Sequence, residues 1–305
     1  MSHGANSLKS IFFALGANLS IAVAKFVAAF ISGSGSMLAE AIHSTADSGN
    51  QLLLLLGLKH AKTPPNSNYP LGYGKAIYFW SFIVAIMLFS IGGLFSIYEG
   101  YHKLHSTDEL SYPYIAIGVL IFSIVAEGIS LIGAINEIKK DLRGRSFWQW
   151  FQTTRKSELL IVFGEDTAAI MGLVFALIAI ILTMVTKNPL FDALGSIVIG
   201  VLLVIIALLV GKQIMSLLIG QGVEEYKKEE YINYLESFKE IKRVLNIKTL
   251  QLGEDVMLAV KAEMIFFDSS YKMIETINGI EKEMKKKFPE IMWSFFEPDN
   301  KDNDD

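Results

Sequence analysis

The sequence predicts an all-α domain of six membrane-spanning helices followed by a small α+β domain of ferredoxin-like type, with the element order αββαβ. Three observations carry that expectation. Apolar residues make up 52% of the 305 residues and the mean hydropathy is +0.41, more apolar surface than a domain in water can easily hide. Hydrophobic runs of about 20 residues, long enough to cross a ~30 Å hydrocarbon core, recur along the first two thirds of the chain. Beyond residue 219 the pattern becomes charged and amphipathic.

The apolar runs lie at 8–31, 36–58, 76–98, 113–138, 159–185 and 190–219. The first is too long for a signal peptide, lacks a small-residue cleavage site and leads straight into the second. With no Arg-rich leader ahead of it, the expected host is a bacterial cytoplasmic membrane. The connection between the fourth and fifth runs carries Lys139, Lys140, Arg143, Arg145, Arg155 and Lys156 against the single acid Asp141, and the loop after the second carries Lys59, Lys62 and Lys75 with no acid. The connections on the other side, at 32–35, 100–112 and 186–189, hold only Lys103 and Lys187 as fixed positive charges. The asymmetry puts both termini on the cytoplasmic side.

Residues 1–220 are therefore read as the membrane domain and 224–298 as a cytoplasmic domain. In the latter, 225–239 has helical periodicity, 244–252 and 255–267 read as strands joined at Gly253, 270–287 as a second helix and 291–296 as a short strand. About 80 residues suffice for a two-layer fold. The stretch 299–305 is too polar to pack and is expected to be a disordered tail.

Cysteine is absent, so neither disulfides nor thiolate ligands are available, and any metal must be held by His, Asp, Glu or backbone oxygen. A net charge of −4 and a pI near 5.8 give no sign of nucleic-acid binding.

Ionisable residues inside a membrane cost several kcal/mol unless paired, so each is a functional candidate. The second run carries Glu40, His43, Asp47 and Asn50, with His43 and Asp47 four apart and stacked on one helical face. The fifth carries Glu165 and Asp166, and the fourth Glu127. Counted inward from the cytoplasmic ends at ~1.5 Å per residue, Asp47, Glu127 and Asp166 all fall roughly 13–17 Å deep. The second and fifth runs could therefore present one His and up to three carboxylates to a common point, four ligands that match tetrahedral Zn²⁺, and so oxygen-rich a set also tolerates Mn²⁺, Fe²⁺ or Co²⁺.

The competing reading of His43 and Asp47 is a mutually satisfied pair, and Glu127 reads equally well as a partner of Ser123 and Ser130. Lys25 is expected to snorkel from the first run, and Asp192 to cap the helix it begins. Two acids at one depth also evoke an intramembrane aspartyl protease, but the Gly-x-Gly-Asp and Pro-Ala-Leu motifs of those enzymes are missing.

These residues carry a resemblance. Gly33-Ser-Gly-Ser-Met-Leu-Ala-Glu-Ala-Ile-His43-Ser-Thr-Ala-Asp47, Leu71-Gly-Tyr-Gly-Lys75 and Asp192-Ala-Leu-Gly-Ser-Ile resemble the cation diffusion facilitator family over essentially the whole chain. Glu127-Gly, Glu165-Asp166-Thr-Ala-Ala and Lys187-Asn-Pro-Leu-Phe-Asp192 are similar to its zinc transporter 9 branch. The resemblance implies a homodimeric metal²⁺/H⁺ antiporter in the lipid bilayer, with divalent metal ions and protons as its partners and no cofactor.

The same resemblance implies a transport site joining the second and fifth runs, formed by His43, Asp47 and Asp166. Where many members carry a His four residues before Asp166 this chain has Val162, which leaves Glu165 as the candidate for the missing ligand, with Glu40, Glu127 and Asn50 as supporting or proton-relay groups. Asn66, Tyr69 and Tyr73 replace the His or Asp of many relatives and argue against a metal site in that loop. The C-terminal domain has neither His nor Cys, so the regulatory zinc cluster of several relatives is expected to be absent or reduced to carboxylates.

Overall fold

The computed structural model describes residues 3–105 and 111–302, with side chains from residue 18 onward. The chain forms two compact units, one of Met1–Leu56, Trp80–Trp150 and Ser157–Ile214, the other of Gly57–Phe79, Phe151–Lys156 and Met215–Asp305.

The helical elements are α1 (His3–Ser32), α2 (Gly35–Ala61), α3 (Ala76–Met87), a π-helical stretch (Leu88–Leu94), α4 (Phe95–Lys103), α5 (Pro113–Asp141), α6 (Phe147–Thr153), α7 (Ser157–Thr186) and α8 (Leu190–Ile219). Among the described residues four continuous helices are long and apolar enough to cross a membrane: Ala76–Lys103, Pro113–Asp141, Ser157–Thr186 and Leu190–Ile219. In α1 the described side chains leave a shorter apolar segment, Asn18–Ser32; the start of the first predicted run, at residue 8, precedes them. Helix α2 has the length, 27 residues, but Glu40, His43, Ser44, Asp47, Ser48 and Asn50 lower its hydropathy. Such a helix must be enclosed by others.

The core of this unit joins α1 (Ala28), α2 (Met37), the π stretch (Leu88), α5 (Leu120), α7 (Leu173, Ile180) and α8 (Leu203). A Cβ added at Gly93 would lie 2.7 Å from Val204 Cγ2, and one at Gly200 2.7 Å from the Gly93 carbonyl oxygen. The π stretch and α8 thus touch backbone to backbone, as small residues permit in membrane bundles. Trp150 of α6, a helix the sequence does not announce, is buried and donates its indole N–H to Asp141 at 2.9 Å.

Asp192 does not cap its own helix as expected. Its carboxylate accepts from the Gly35 N–H at 2.6 Å, the Ser36 N–H at 3.3 Å and the Ser34 hydroxyl at 2.6 Å, and also from the Ser36 hydroxyl. The acid therefore satisfies the orphan donors at the start of α2, where the helix dipole favours negative charge. The turn that aims those donors bends through Gly33 at φ +67°. Lys103 Nζ stands 3.6 Å from the same carboxylate.

In the second unit, α9 (Glu225–Glu236) and α10 (Ser270–Lys287) accompany β1 (Ile241–Leu252), β2 (Asp255–Met264) and β3 (Ile291–Pro298), in the chain order αββαβ. The sheet order is β1-β2-β3. Strands β1 and β2 pair antiparallel from Ile241↔Met264 to Leu252↔Asp255, and β2 and β3 run parallel from Val256↔Ile291 to Ala262↔Pro298. Val256, Leu258, Val260 and Ala262 alternate inward along β2, the period of a half-buried strand, and share a core with Tyr231 and Leu235 of α9 and Ile280 and Met284 of α10.

Strand β1 starts at Ile241 rather than at residue 244, because Lys242 and Arg243 hide the apolar pattern. Both pair across the ladder with Glu263, at 3.1 and 3.0 Å. Strand β2 correspondingly stops at Met264, short of the expected 267. Within this unit the loop before α3 lies against the β1–β2 turn. A Cβ on Gly74 would collide with the Leu252 carbonyl oxygen, and the Gly253 N–H donates to the Tyr78 hydroxyl at 3.1 Å.

Replacing Asp192 by Ala strands the α2 amides, and thermal unfolding in detergent is expected to show a loss of about 2 kcal/mol. Asp192→Asn keeps an acceptor and should lose distinctly less. Equal stability for Asp192→Ala and wild type would disprove the clamp.

Candidate metal centre

Helix α2 sets Glu40, His43, Asp47 and Asn50 at i, i+3, i+7 and i+10, which in a 3.6-residue period is one stripe. Glu40, His43 and Asn50 are buried. His43 Nδ1 lies 3.4 Å from Asp47 Oδ1, within ion-pair range but without hydrogen-bond alignment. Both ring nitrogens of His43, Asp47 Oδ1, Glu40 Oε1 and Asn50 Oδ1 are enclosed without a hydrogen-bond partner. A buried polar atom left so costs about 1–3 kcal/mol, and native proteins tolerate it mainly where a ligand or strain has a use for it.

Opposite this stripe α7 presents its two adjacent acids. Glu165 Oε1 accepts from Asn50 Nδ2 at 2.6 Å, and Asp166 Oδ2 accepts from Ser130 Oγ of α5 at 2.9 Å. Asp47, Glu127, Glu165 and Asp166 line one small cavity together with Asn18, Ser44, Gln51 and Ala169. His43 is outside that lining and packs instead beside the π stretch, 3.7 Å from where a Cβ on Gly92 would sit. Among the described residues no three His, Asp or Glu side chains converge closely enough to hold one ion.

The structure therefore gathers the three carboxylates of the predicted level, Asp47, Glu127 and Asp166, together with Glu165 around one cavity, and leaves His43 one step nearer the start of α2, with Glu40 another turn beyond it. Val162 is absent from the lining, while Glu165 reaches the cavity from the same helix.

Two polar residues, Gln51 and Asn18, escaped the sequence reading, and a third, Lys25, has another role than the one expected. Gln51 follows Asp47 by four residues, the same spacing that singled out His43 and Asp47, so the signal was present. Asn18 is an amide in an otherwise apolar run. Lys25, expected to snorkel, is instead fully buried, and its ammonium donates to Ser44 Oγ at 2.6 Å and to Glu40 Oε2 at 3.3 Å. The acid one helix away offers more than a long reach to the interface.

Carboxylates and an imidazole are groups that take up protons or ligate divalent cations, and several of them are enclosed here without a partner, although they stand too far apart to share one ion. It contains no nucleophile aligned with a base.

Residues 11–219 match the family model described as the cation efflux transmembrane domain. The chain is 34% identical over 244 residues to the proton-coupled zinc antiporter SLC30A9, mitochondrial, of Xenopus laevis, an alignment covering 79% of this chain and 44% of that protein. It is 29% identical over 263 residues to metal tolerance protein C4 of Arabidopsis thaliana, covering 86% and 57%. It is 24% identical over 271 residues to magnetosome protein MamB of Magnetospira sp., covering 87% and 85%. The chain thus spans less than two thirds of the length of the first two proteins.

Asn50→Ala removes the donor that holds Glu165 against α2. The expected cost is about 1–2 kcal/mol of stability in detergent, and an unchanged melting curve would rule the contact out.

Proposed function

Because the chain belongs to the cation efflux family, we propose that it is a secondary transporter that exports a divalent transition-metal ion, Zn²⁺ foremost, in exchange for protons by alternating access. It is an integral, multi-pass membrane protein of a transporter family, and with that the protease reading falls. The observation that carries the proposal is the stripe of unpartnered polar atoms on α2 facing the Glu165-Asp166 pair of α7. Relatives that bear the name of proton-coupled zinc antiporter support the same reading.

In this scheme His43, Asp47 and Asp166 bind the ion, with Glu165 as fourth ligand after release from Asn50. Glu127 passes protons to and from it, and Glu40 lines the exit on the far side of His43. Metal and protons compete for the same lone pairs, so loading one expels the other, which is the requirement for exchange. One imidazole among carboxylates favours Zn²⁺, and the oxygen majority admits Mn²⁺, Fe²⁺ or Co²⁺ as the alternative substrate.

The polar but enclosed α2 and the apolar segment of α1 would complete six spans, with both termini cytoplasmic by the loop charges. The ferredoxin-like C-terminal domain, 224–298, would dimerise the transporter without a His- or Cys-based metal cluster. Deleting 224–305 is expected to shift a homodimer toward monomer in size-exclusion chromatography with light scattering.

The direct test is metal-driven proton flux in proteoliposomes. Asp47→Ala and Asp166→Ala should each abolish it while the purified variants stay folded, since a ligand is lost rather than core volume. Transport at the wild-type rate by either would sink the site assignment. Glu165→Gln keeps size and hydrogen bonding, so a true ligand should lose metal affinity about tenfold, or about 1.4 kcal/mol. Unchanged Zn²⁺ affinity would leave His43, Asp47 and Asp166 as the protein ligands.

A further inference from the structure

Five carboxylates, Glu40, Asp47, Glu127, Glu165 and Asp166, surround the cavity or lie one to two turns from it, and the only fully buried Lys or Arg among the described residues is Lys25. It projects from α1 on the stripe of Asn18, which itself lines the cavity. Its ammonium bonds Ser44 Oγ at 2.6 Å, next in sequence to His43, and Glu40 Oε2 at 3.3 Å. Glu40 is locked from the other side, because its Oε1 occupies the space that a side chain on Gly172 of α7 would fill. The pair thus joins α1, α2 and α7 in one place, just outward of His43.

We propose that Lys25 is a fixed internal counter-cation of the ion site: a positioning residue whose charge cancels the pull that Glu40 would otherwise exert on a bound dication, and so keeps that acid from tightening the site beyond release. This rests on the reading of His43, Asp47, Glu165 and Asp166 as the ion site. A dication bound there is repelled by Lys25 and attracted by Glu40, and in the low dielectric of the bundle neither is screened as it would be in water. The two side chains therefore act on affinity with opposite signs. A snorkelling lysine would do neither, and a purely structural pair would weaken binding whichever member was lost.

The test is a charge cycle on the purified full-length protein in detergent, reading Zn²⁺ affinity by competition with a chromophoric chelator. Lys25→Met should bind Zn²⁺ at least about tenfold more tightly and Glu40→Gln at least about tenfold more weakly. The double variant, which removes the pair without leaving an unpaired charge, should return to within about threefold of wild type. Lys25→Arg, which keeps the charge, should match wild type. Weaker or unchanged binding by Lys25→Met, or a double variant whose loss is the sum of two losses, would overturn the proposal. Asp47→Ala in parallel separates the two claims. If Asp47→Ala still binds Zn²⁺, the site assignment fails, whereas Asp47-dependent binding without opposite-signed shifts refutes the role of Lys25 alone.

Discussion

A helix that carries Glu40, His43, Asp47 and Asn50 on one stripe cannot face lipid, because hydrocarbon offers those groups neither hydrogen bonds nor dielectric screening. The arrangement of α1, α5, α7 and α8 around α2 answers that constraint. Several of its polar groups are partnered by a neighbouring helix: Glu40 by Lys25 of α1, Asn50 by Glu165 of α7, and the opening amides of α2 by Asp192 of α8. The apolar contacts fill the space between, with Met37, Leu120, Leu173 and Leu203 in one core.

What is left unpartnered is as informative as what is paired. The imidazole of His43 and one oxygen of Asp47 remain enclosed without hydrogen bonds, at a cost that packing elsewhere must offset. Hydrogen-bonding side chains stand on the same helix, Ser36, Ser44 and Ser48 among them, yet none of them partners these atoms. That they are left open next to a cluster of acids suits a site whose occupant arrives and departs. Glycines set how closely these helices approach. Gly172 makes room for the Glu40 carboxylate, and Gly93 and Gly200 let the π stretch approach α8 at backbone distance. A π-helical turn within a membrane helix is also a common companion of function, and here it lies beside His43.

The second unit shows a different balance. Its stability comes from an alternating strand packed under two helices and from charge pairs such as Glu263 with Lys242 and Arg243, which are exposed and of small energetic weight. The tighter feature is the seating of Gly74 and Tyr78 on the β1–β2 turn, where two backbones meet without room for a side chain. The Leu71-Gly-Tyr-Gly-Lys75 segment thus has a packing reason for its glycines that does not depend on metal. Asn66, Tyr69 and Tyr73 beside it form a polar and aromatic cluster, with the Tyr69 and Tyr73 rings 4.5 Å apart.

Much of the architecture is local information and was legible in the sequence. Apolar run length specifies helices to within a few residues, period-2 alternation specifies β2, and Gly253 marks the hairpin, because each is a property of a short window. The stripe on α2 and the acids of α7 were legible for the same reason: helical spacing alone decides which residues of one helix share a face. Partners across helices were not. Lys25 read as a snorkelling lysine and Asp192 as a cap for its own helix, each the better choice for an isolated helix. Only the tertiary structure brought Glu40 within reach of the first and the amides of α2 within reach of the second. Spacing along a chain constrains neighbours on one element, whereas the destination of a buried charge is decided by whichever opposite charge or free backbone group the packed bundle places beside it.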